Sequence, residues 1–164
     1  MNKKKTPSLY EWMGGAEVVE KLVTTFYKFT LDDLLLRPLF EHMPAAHIHN
    51  VSLWIGEVFR GPKAYSKKFG NDTAHPHMMT RHLNIQITEE QRKRWMALMI
   101  KAADEVGLPE DPEFRSAFVG YLEWGTRIAK IMSQPDIKVP ERDPMPHWGW
   151  GEQKPVLSSS DQEQ

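Results

Sequence analysis

Apolar positions along the chain recur at helical spacing, and nowhere do they alternate with polar ones over a sustained stretch between turn dipeptides. The pattern therefore predicts helices throughout and gives no foothold to an all-β or βαβ chain. Ser8-Leu9-Tyr10-Glu11 has the form of a capping box and predicts a short helix that Gly14-Gly15 ends. Val19, Leu22, Val23, Phe26 and Tyr27 or Thr30 share one face of a helix over 16–30. Asp32 or Asp33 caps a brief turn, which Pro38 stops. A helix over 45–60 closes at Gly61-Pro62. At about 100° per residue its inward stripe is His47, Val51, Trp54 and Val58, while His49 faces water. Residues 63–76 read as irregular, because Gly70, Asn71, Asp72 and Pro76 break the pattern. A short helix is expected from His77 to Leu83, with Pro76 at its start. Thr88-Glu89-Glu90-Gln91 is a second capping box. It opens a helix to about Val106, with Trp95, Leu98 or Met99, Ala102 and Val106 on one face and Arg92-Lys93-Arg94 on the solvated side. Asp111-Pro112 opens the last helix, which reaches about Ser133 and turns Phe114, Phe118, Tyr121 or Leu122, Gly125, Ile128 and Met132 inward.

After Gln134 the character changes. Five prolines fall within residues 135–155, and the chain ends in Ser158-Ser159-Ser160-Asp161-Gln162-Glu163-Gln164. The expected division is an N-terminal extension over 1–7, one all-α domain over 8–133 and a Pro-rich tail over 134–164, largely without regular structure. Within the tail, His147-Trp148-Gly149-Trp150-Gly151 reads either as stray aromatics on a mobile segment or as a segment that docks on the helical body or on a partner.

A length of 164 residues suits one domain with room for a core and one buried ligand. Lys and Arg number 21 against 22 Asp and Glu, so the basic excess of a general nucleic-acid binder is missing and no nucleic-acid partner is expected. The absence of cysteine excludes disulfides, thiolate metal sites, a Cys nucleophile and Cys-ligated clusters. No apolar run is long enough to span a membrane, and Lys3–Lys5 lead into Thr6-Pro7-Ser8 rather than an apolar signal core. A cytoplasmic location is the expectation.

Seven His, six Trp and nine Met invite a search for a cofactor. The irregular middle holds His75, His77 and His82, and His82 has Met78 and Met79 at i−4 and i−3, an apolar face. An imidazole on an apolar face, opposite a helix bearing the inward His47, suits haem, a flat and largely apolar disc. Haem needs a slot between helices, a neutral imidazole for its iron, and cations or hydroxyls for two propionates. Arg81 and Tyr65 could serve the propionates, as could Lys67 or Lys68, with Asn50 a further residue for the haem edge. The same residues also admit plainer readings. His82 and His47 can be hydrogen-bonded core residues, and Trp54, Val58 and Trp95 can be ordinary core. His42, His47, His49, His75 and His77 can supply a zinc site, though without Cys or a His-Glu-x-x-His helix. No Gly-rich phosphate loop and no Gly-x-Ser-x-Gly elbow is present.

Taken in order, Ser8-Leu9-Tyr10 with Gly14-Gly15, Phe26-Tyr27, Phe40, Gly61-Pro62, Tyr65-Ser66, Gly70, His75-Pro76, Arg81-His82 and Trp95 resemble the truncated haemoglobins over residues 8–133. The Tyr27, Arg81-His82 and Trp95 combination resembles their group II branch. The resemblance implies a two-over-two helical sandwich around haem b. It implies His82 as the proximal iron ligand, with Phe40, Val51, Trp54 and Met78 against the haem and Tyr65 and Arg81 on the propionates. Tyr27, Trp95 and His47 would face the ligand. His47 is the variable member of that set: it could donate to the ligand, gate the pocket, or close onto iron.

The function so implied is binding of O₂, NO, CO or peroxide. Two donors, the Tyr27 hydroxyl and the Trp95 indole N–H, favour retention of O₂ over transport. NO dioxygenase or peroxidase-like chemistry would need a separate reductase, since 164 residues hold no flavin or nicotinamide domain. The alternatives from other classes are a haem-free helical interaction module and a His-based zinc protein.

Overall fold

The computed structural model describes residues 4–151, and the last thirteen residues of the expected tail and the first three of the expected extension lie outside them. Eight helices follow one another: α1 (Leu9–Met13), α2 (Gly15–Asp32), α3 (Arg37–Phe40), α4 (His47–Val58), α5 (Ala64–Phe69), α6 (Ala74–Thr80), α7 (Glu89–Glu105) and α8 (Pro112–Met132). Among the described residues there is no strand. The long helices form two pairs, α2 with α4 and α7 with α8, and the α2–α7 contact crosses one pair over the other. This is the all-α, two-over-two arrangement.

Local chemistry explains most boundaries. Ser8 Oγ accepts from the Glu11 N–H, and at Thr88 both bonds of the capping box with Gln91 form. Asp111 accepts from the Phe114 N–H, and Pro112 occupies the first turn of α8, where its missing N–H costs nothing. Gly14 ends α1 in the left-handed region at φ 118° and lets α2 begin at the next residue. Gly61 answers a different need. A Cβ there would stand 2.6 Å from the Tyr10 ring, and the close approach lets the Tyr10 N–H donate to Phe59 O at 3.0 Å, joining α1 to the end of α4.

Four expectations require correction. Residues 63–76 are not irregular throughout: Ala64–Phe69 form α5, stopped by Gly70 at φ 92°. The breakers that follow this turn concealed it. The helix expected over His77–Leu83 is α6, three residues earlier, because Pro76 is tolerated within the first turn rather than before it. His82 consequently lies in the turn after α6, not on the helix. Pro38 does not stop a turn but sits in the first turn of α3, and Asp33 Oδ1 accepts from the N–H groups of Leu35 and Leu36 just before it. Arg92 is not solvated. It is 4% exposed, and its guanidinium meets Glu89, Glu123 and Thr126. A buried cation is tolerated only when its donors are satisfied in this way.

Beyond α8 the chain has no helix or strand up to residue 151, yet it packs on the helices. The Trp148 N–H donates to Val58 O at 2.7 Å, and the Trp150 indole N–H donates to Pro7 O at 2.8 Å. The Trp150 ring meets Trp12 edge-on, Trp148 packs against Tyr121 and Trp124, and Met145 is buried. His147 stays exposed. Of the two readings of the aromatic patch, docking on the body is the one the structure displays.

Two outcomes follow from this packing. Trp148→Ala should destabilise the protein by about 1–3 kcal/mol, the range for a partly buried large side chain; an unchanged denaturant midpoint would show that the docked segment contributes nothing. Glu89 tests the Arg92 network. The Arg92 guanidinium, then Lys130, holds its carboxyl down at about 2. A depressed acid stabilises the fold above the ordinary carboxylate range and loses that effect as pH falls towards the folded value. Melting temperatures of wild type and Glu89→Gln should therefore differ at pH 7 and converge as pH falls from about 4.3 towards about 2; a constant gap would remove Glu89 from the network.

Candidate functional site

The helices enclose a cavity of about 390 Å³, within the range of small-molecule sites. All ten residues that the resemblance assigns to the haem or its ligand line it: Tyr27, Phe40, His47, Val51, Trp54, Tyr65, Met78, Arg81, His82 and Trp95. They come from α2 through α7 and the turn after α6, so the site exists only once the helix pairs have crossed.

His82 is the informative wall residue. Its Nδ1 lies 3.0 Å from Met78 O. A carbonyl has no proton to give, so Nδ1 carries the N–H and Nε2 of the neutral ring keeps its lone pair. Burial lowers the pKa of this imidazole, which opposes protonation of Nε2 near neutral pH; the Met78 bond acts weakly the other way. The turn is itself pinned, with the His82 N–H on Met79 O, the Gln86 N–H on Ser133 O and the Ile87 N–H on Ser133 Oγ. The result is a neutral, oriented nitrogen donor at a cavity walled by Met78, Met79, Ile85 and Ile128.

Tyr27 and His47 meet across the cavity from α2 and α4, hydroxyl to Nε2 at 2.8 Å. Burial raises the Tyr27 pKa well above its ordinary value, so the hydroxyl keeps its proton. Burial, then the charges of Arg81 and His82, lowers that of His47. Phe26 lies between its neighbours, edge-on to Tyr27 at 5.0 Å and to Trp95 at 4.7 Å, and fixes both rings. Trp95 Nε1–H meets no acceptor among the described residues, and no buried polar atom there is left unpartnered, so this donor remains accessible. Phe40 packs edge-on against Tyr27.

Polar bonds across the remaining walls are already made. Trp54 donates its indole N–H to Tyr121 Oη at 2.6 Å. Tyr65 Oη pairs with His77 Nδ1 at 3.0 Å, and burial pushes its hydroxyl up to about 12. Arg81 is exposed while still lining the cavity, which places it at the rim. Lys68 donates to Asn50 Oδ1, and Asn50 lines the cavity. Lys67 is not brought to it; with Lys63 it borders a separate shallow depression. The sequence reading passed over Tyr121 and Trp124 as lining residues and missed Asp143, which accepts from the Nδ1–H of the buried His75 at 2.7 Å. Tyr121 was legible as an inward residue of α8, but nothing local marked it as Trp54's partner. His42 also lines the cavity and His49 is exposed. Among the described residues no three His, Asp or Glu stand close enough to hold a metal ion. An oriented imidazole with a free nitrogen, largely apolar walls and a cationic rim fit a flat metal-bearing macrocycle with anionic substituents better than a bare ion.

A family model described as bacterial-like globin matches residues 8–124. The chain is 32% identical over 113 residues to the group 2 truncated hemoglobin YjbI of Bacillus subtilis (strain 168), covering 69% of this chain and 81% of that protein. Among solved structures, the group II truncated haemoglobin of Bacillus anthracis matches with a TM-score of 0.68 and 25% identity, covering 77% of this chain and 92% of its own. The haemoglobin of Chloroflexus aurantiacus matches at 0.65 and 30%, over 75% and 97%. The truncated oxygen-avid haemoglobin of Bacillus subtilis matches at 0.64 and 30%, over 74% and 97%. With its fold, the oriented His82 imidazole at its cavity and these relatives, the chain belongs to the bacterial-like globins, in their group II truncated haemoglobin branch, and shares that family's haem-based ligand binding.

Proposed function

We propose that residues 8–133 form a globin domain that holds haem b through His82 and binds O₂, with NO, CO and peroxide as further ligands. The observation that carries this reading is the bond between His82 Nδ1 and Met78 O. It commits the ring to one tautomer and leaves Nε2 free for a metal at a largely apolar cavity. Phe40, Val51, Trp54 and Met78 would clasp the macrocycle, and Tyr65 and Arg81 would take its two propionates. Haem supplies the ferrous iron that binds a diatomic ligand; the chain supplies the rest.

Tyr27, Trp95 and His47 would act on the ligand. Tyr27 has a proton that burial keeps in place, and Trp95 has a free N–H that can only donate. A ligand that gains negative charge on binding draws on both, at roughly 1.5–3 kcal/mol per bond. His47 is held by Tyr27 in the resting arrangement, so a ligand that takes the Tyr27 proton must replace that bond or leave His47 to donate in turn. Tight retention of this kind suits NO dioxygenation or peroxidase-like turnover better than transport, and either would draw electrons from a separate reductase. A cytoplasmic setting fits that chemistry, and among the described residues no helix is long and apolar enough to cross a membrane.

Absorption spectra of the ferric, ferrous and ferrous-CO forms test the cofactor and its axial ligand together. Wild type should show a haem Soret band, and His82→Ala should lose or greatly weaken it; an unaltered spectrum in that variant would sink the assignment. Tyr27→Phe and Trp95→Phe should each release O₂ about tenfold faster or more, from the loss of one charge-assisted bond. Stopped-flow off-rates equal to wild type would remove these residues from the ligand site.

A further inference from the structure

We propose that Lys63 and Lys67, with Lys68 and Arg81, form a docking surface beside the cavity rim for an acidic one-electron carrier protein that reduces the haem iron. This rests on the haem reading above and names the chemistry of the reductase that reading requires.

The argument begins with charge placement. Residues 60–81 carry five Lys and Arg against one acidic residue, Asp72, in a chain whose net charge is −1. Several cations elsewhere are spent on carboxylates: Arg92 on Glu89 and Glu123, Arg94 on Asp33, Arg115 on Asp104, Arg127 on Glu123 and Lys130 on Glu89. Exposed Lys28, Arg37, Lys93 and Lys101 also lack a carboxylate among the described residues, but they are spread over α2, α3 and α7. Lys63, Lys67, Lys68 and Arg81 are exposed and have no carboxylate partner among the described residues. The carboxylate beneath them, Glu57, is buried and occupied by the Ser66 N–H and hydroxyl. Asp143, from the docked tail, is occupied by His75.

Geometry sets these cations on and beside the rim. Arg81 lines the cavity and Lys68 holds the cavity residue Asn50, while Lys63, at the N-cap of α5, and Lys67, on α5 next to Lys68 in the chain, border the separate shallow depression. The charges are felt locally, since Arg81 and Lys68 both help to lower the pKa of His77. Two propionates would neutralise part of this field at Arg81 and leave the two outer lysines unspent.

Such a patch steers an acidic protein to the edge at which an electron must enter. The step balances without further reagents: one electron leaves the carrier's reduced iron–sulfur cluster and one is taken up by ferric iron. Nucleic acid is the poorer occupant. Four cations fall short of the six to ten phosphate contacts, roughly, that give duplex binding its strength, and the stacking aromatics of single-strand binders are missing from α5's exposed face.

The test uses the full, haem-loaded chain and a purified acidic [2Fe–2S] ferredoxin as the probe. Binding of oxidised ferredoxin to the ferric protein, followed by calorimetry or NMR line shifts, involves no electron flow. Lys63→Glu with Lys67→Glu should weaken it about tenfold, and so should raising salt from about 20 to about 300 mM, which cuts the screening length from roughly 20 Å to under 6 Å. Reduction by ferredoxin should slow in parallel, while reduction by dithionite should not. The Soret band separates the two readings. A missing band means that the haem reading has failed. An intact band with ferredoxin binding indifferent to both lysines, or binding only to heparin or anionic vesicles, overturns the docking surface.

Discussion

The site depends on one hydrogen bond, from His82 Nδ1–H to Met78 O. It is a short-range bond, but the turn that makes it is not self-supporting. The Gln86 N–H and the Ile87 N–H both reach Ser133 at the end of α8, and the Gln134 side chain returns a bond to Ile87 O. The imidazole is therefore oriented by the last helix as well as by its own neighbours. An oriented ring is what a metal needs from a protein ligand, because the entropy of aiming the lone pair is lost during folding and not again on binding.

The cavity must also be kept open, since apolar walls tend to collapse when nothing separates them. The polar groups that line it bond to one another across elements: Tyr27 with His47 joins α2 to α4, Trp54 with Tyr121 joins α4 to α8, and Tyr65 with His77 joins α5 to α6. His75 with Asp143 joins α6 to the tail. Each pair fixes a spacing that dispersion alone would not. Because these groups satisfy one another, the cavity presents a largely apolar surface from walls rich in Tyr, Trp and His. The same burial lowers the pKa values of His47 and His82, so the cavity favours neutral imidazoles on both sides.

Periodicity made the helix pairs legible, and the His47, Val51, Trp54 and Val58 stripe followed from angle alone. His82 could be singled out as an imidazole beside two methionines, but its tautomer could not, since the acceptor is a backbone carbonyl whose position depends on where α6 ends. That end shifts with Pro76, which the pattern marks as a boundary and the fold uses as a first-turn residue. Arg92 escaped for a related reason: within Arg92-Lys93-Arg94 nothing local distinguishes the buried member, and only the approach of Glu123 and Thr126 from α8 selects it. Trp54–Tyr121 and His75–Asp143, separated by 67 and 68 residues, are products of tertiary packing with no sequence signal at all.

The tail shows how a correct observation can support two opposite structures. Its prolines and lack of periodicity disfavour a helix or a strand, and up to residue 151 neither forms; a segment without either is ordinarily free in solvent. Docking without a backbone ladder is costly because each residue must be fixed with few bonds in return. Proline reduces that cost, since its φ is already restricted in the unfolded chain. Pro135, Pro140, Pro144 and Pro146 therefore assist a strap that holds through a few anchors: Asp143 on His75, Met145 in the core, Trp148 on Val58 O and Trp150 on Pro7 O. Those anchors reach α4, α6, α8 and the start of α1, and His75, Tyr121 and Trp124 beneath them line the cavity. The segment past the matched globin residues is thus mechanically part of the site's wall, and its composition is what a strap without regular structure requires.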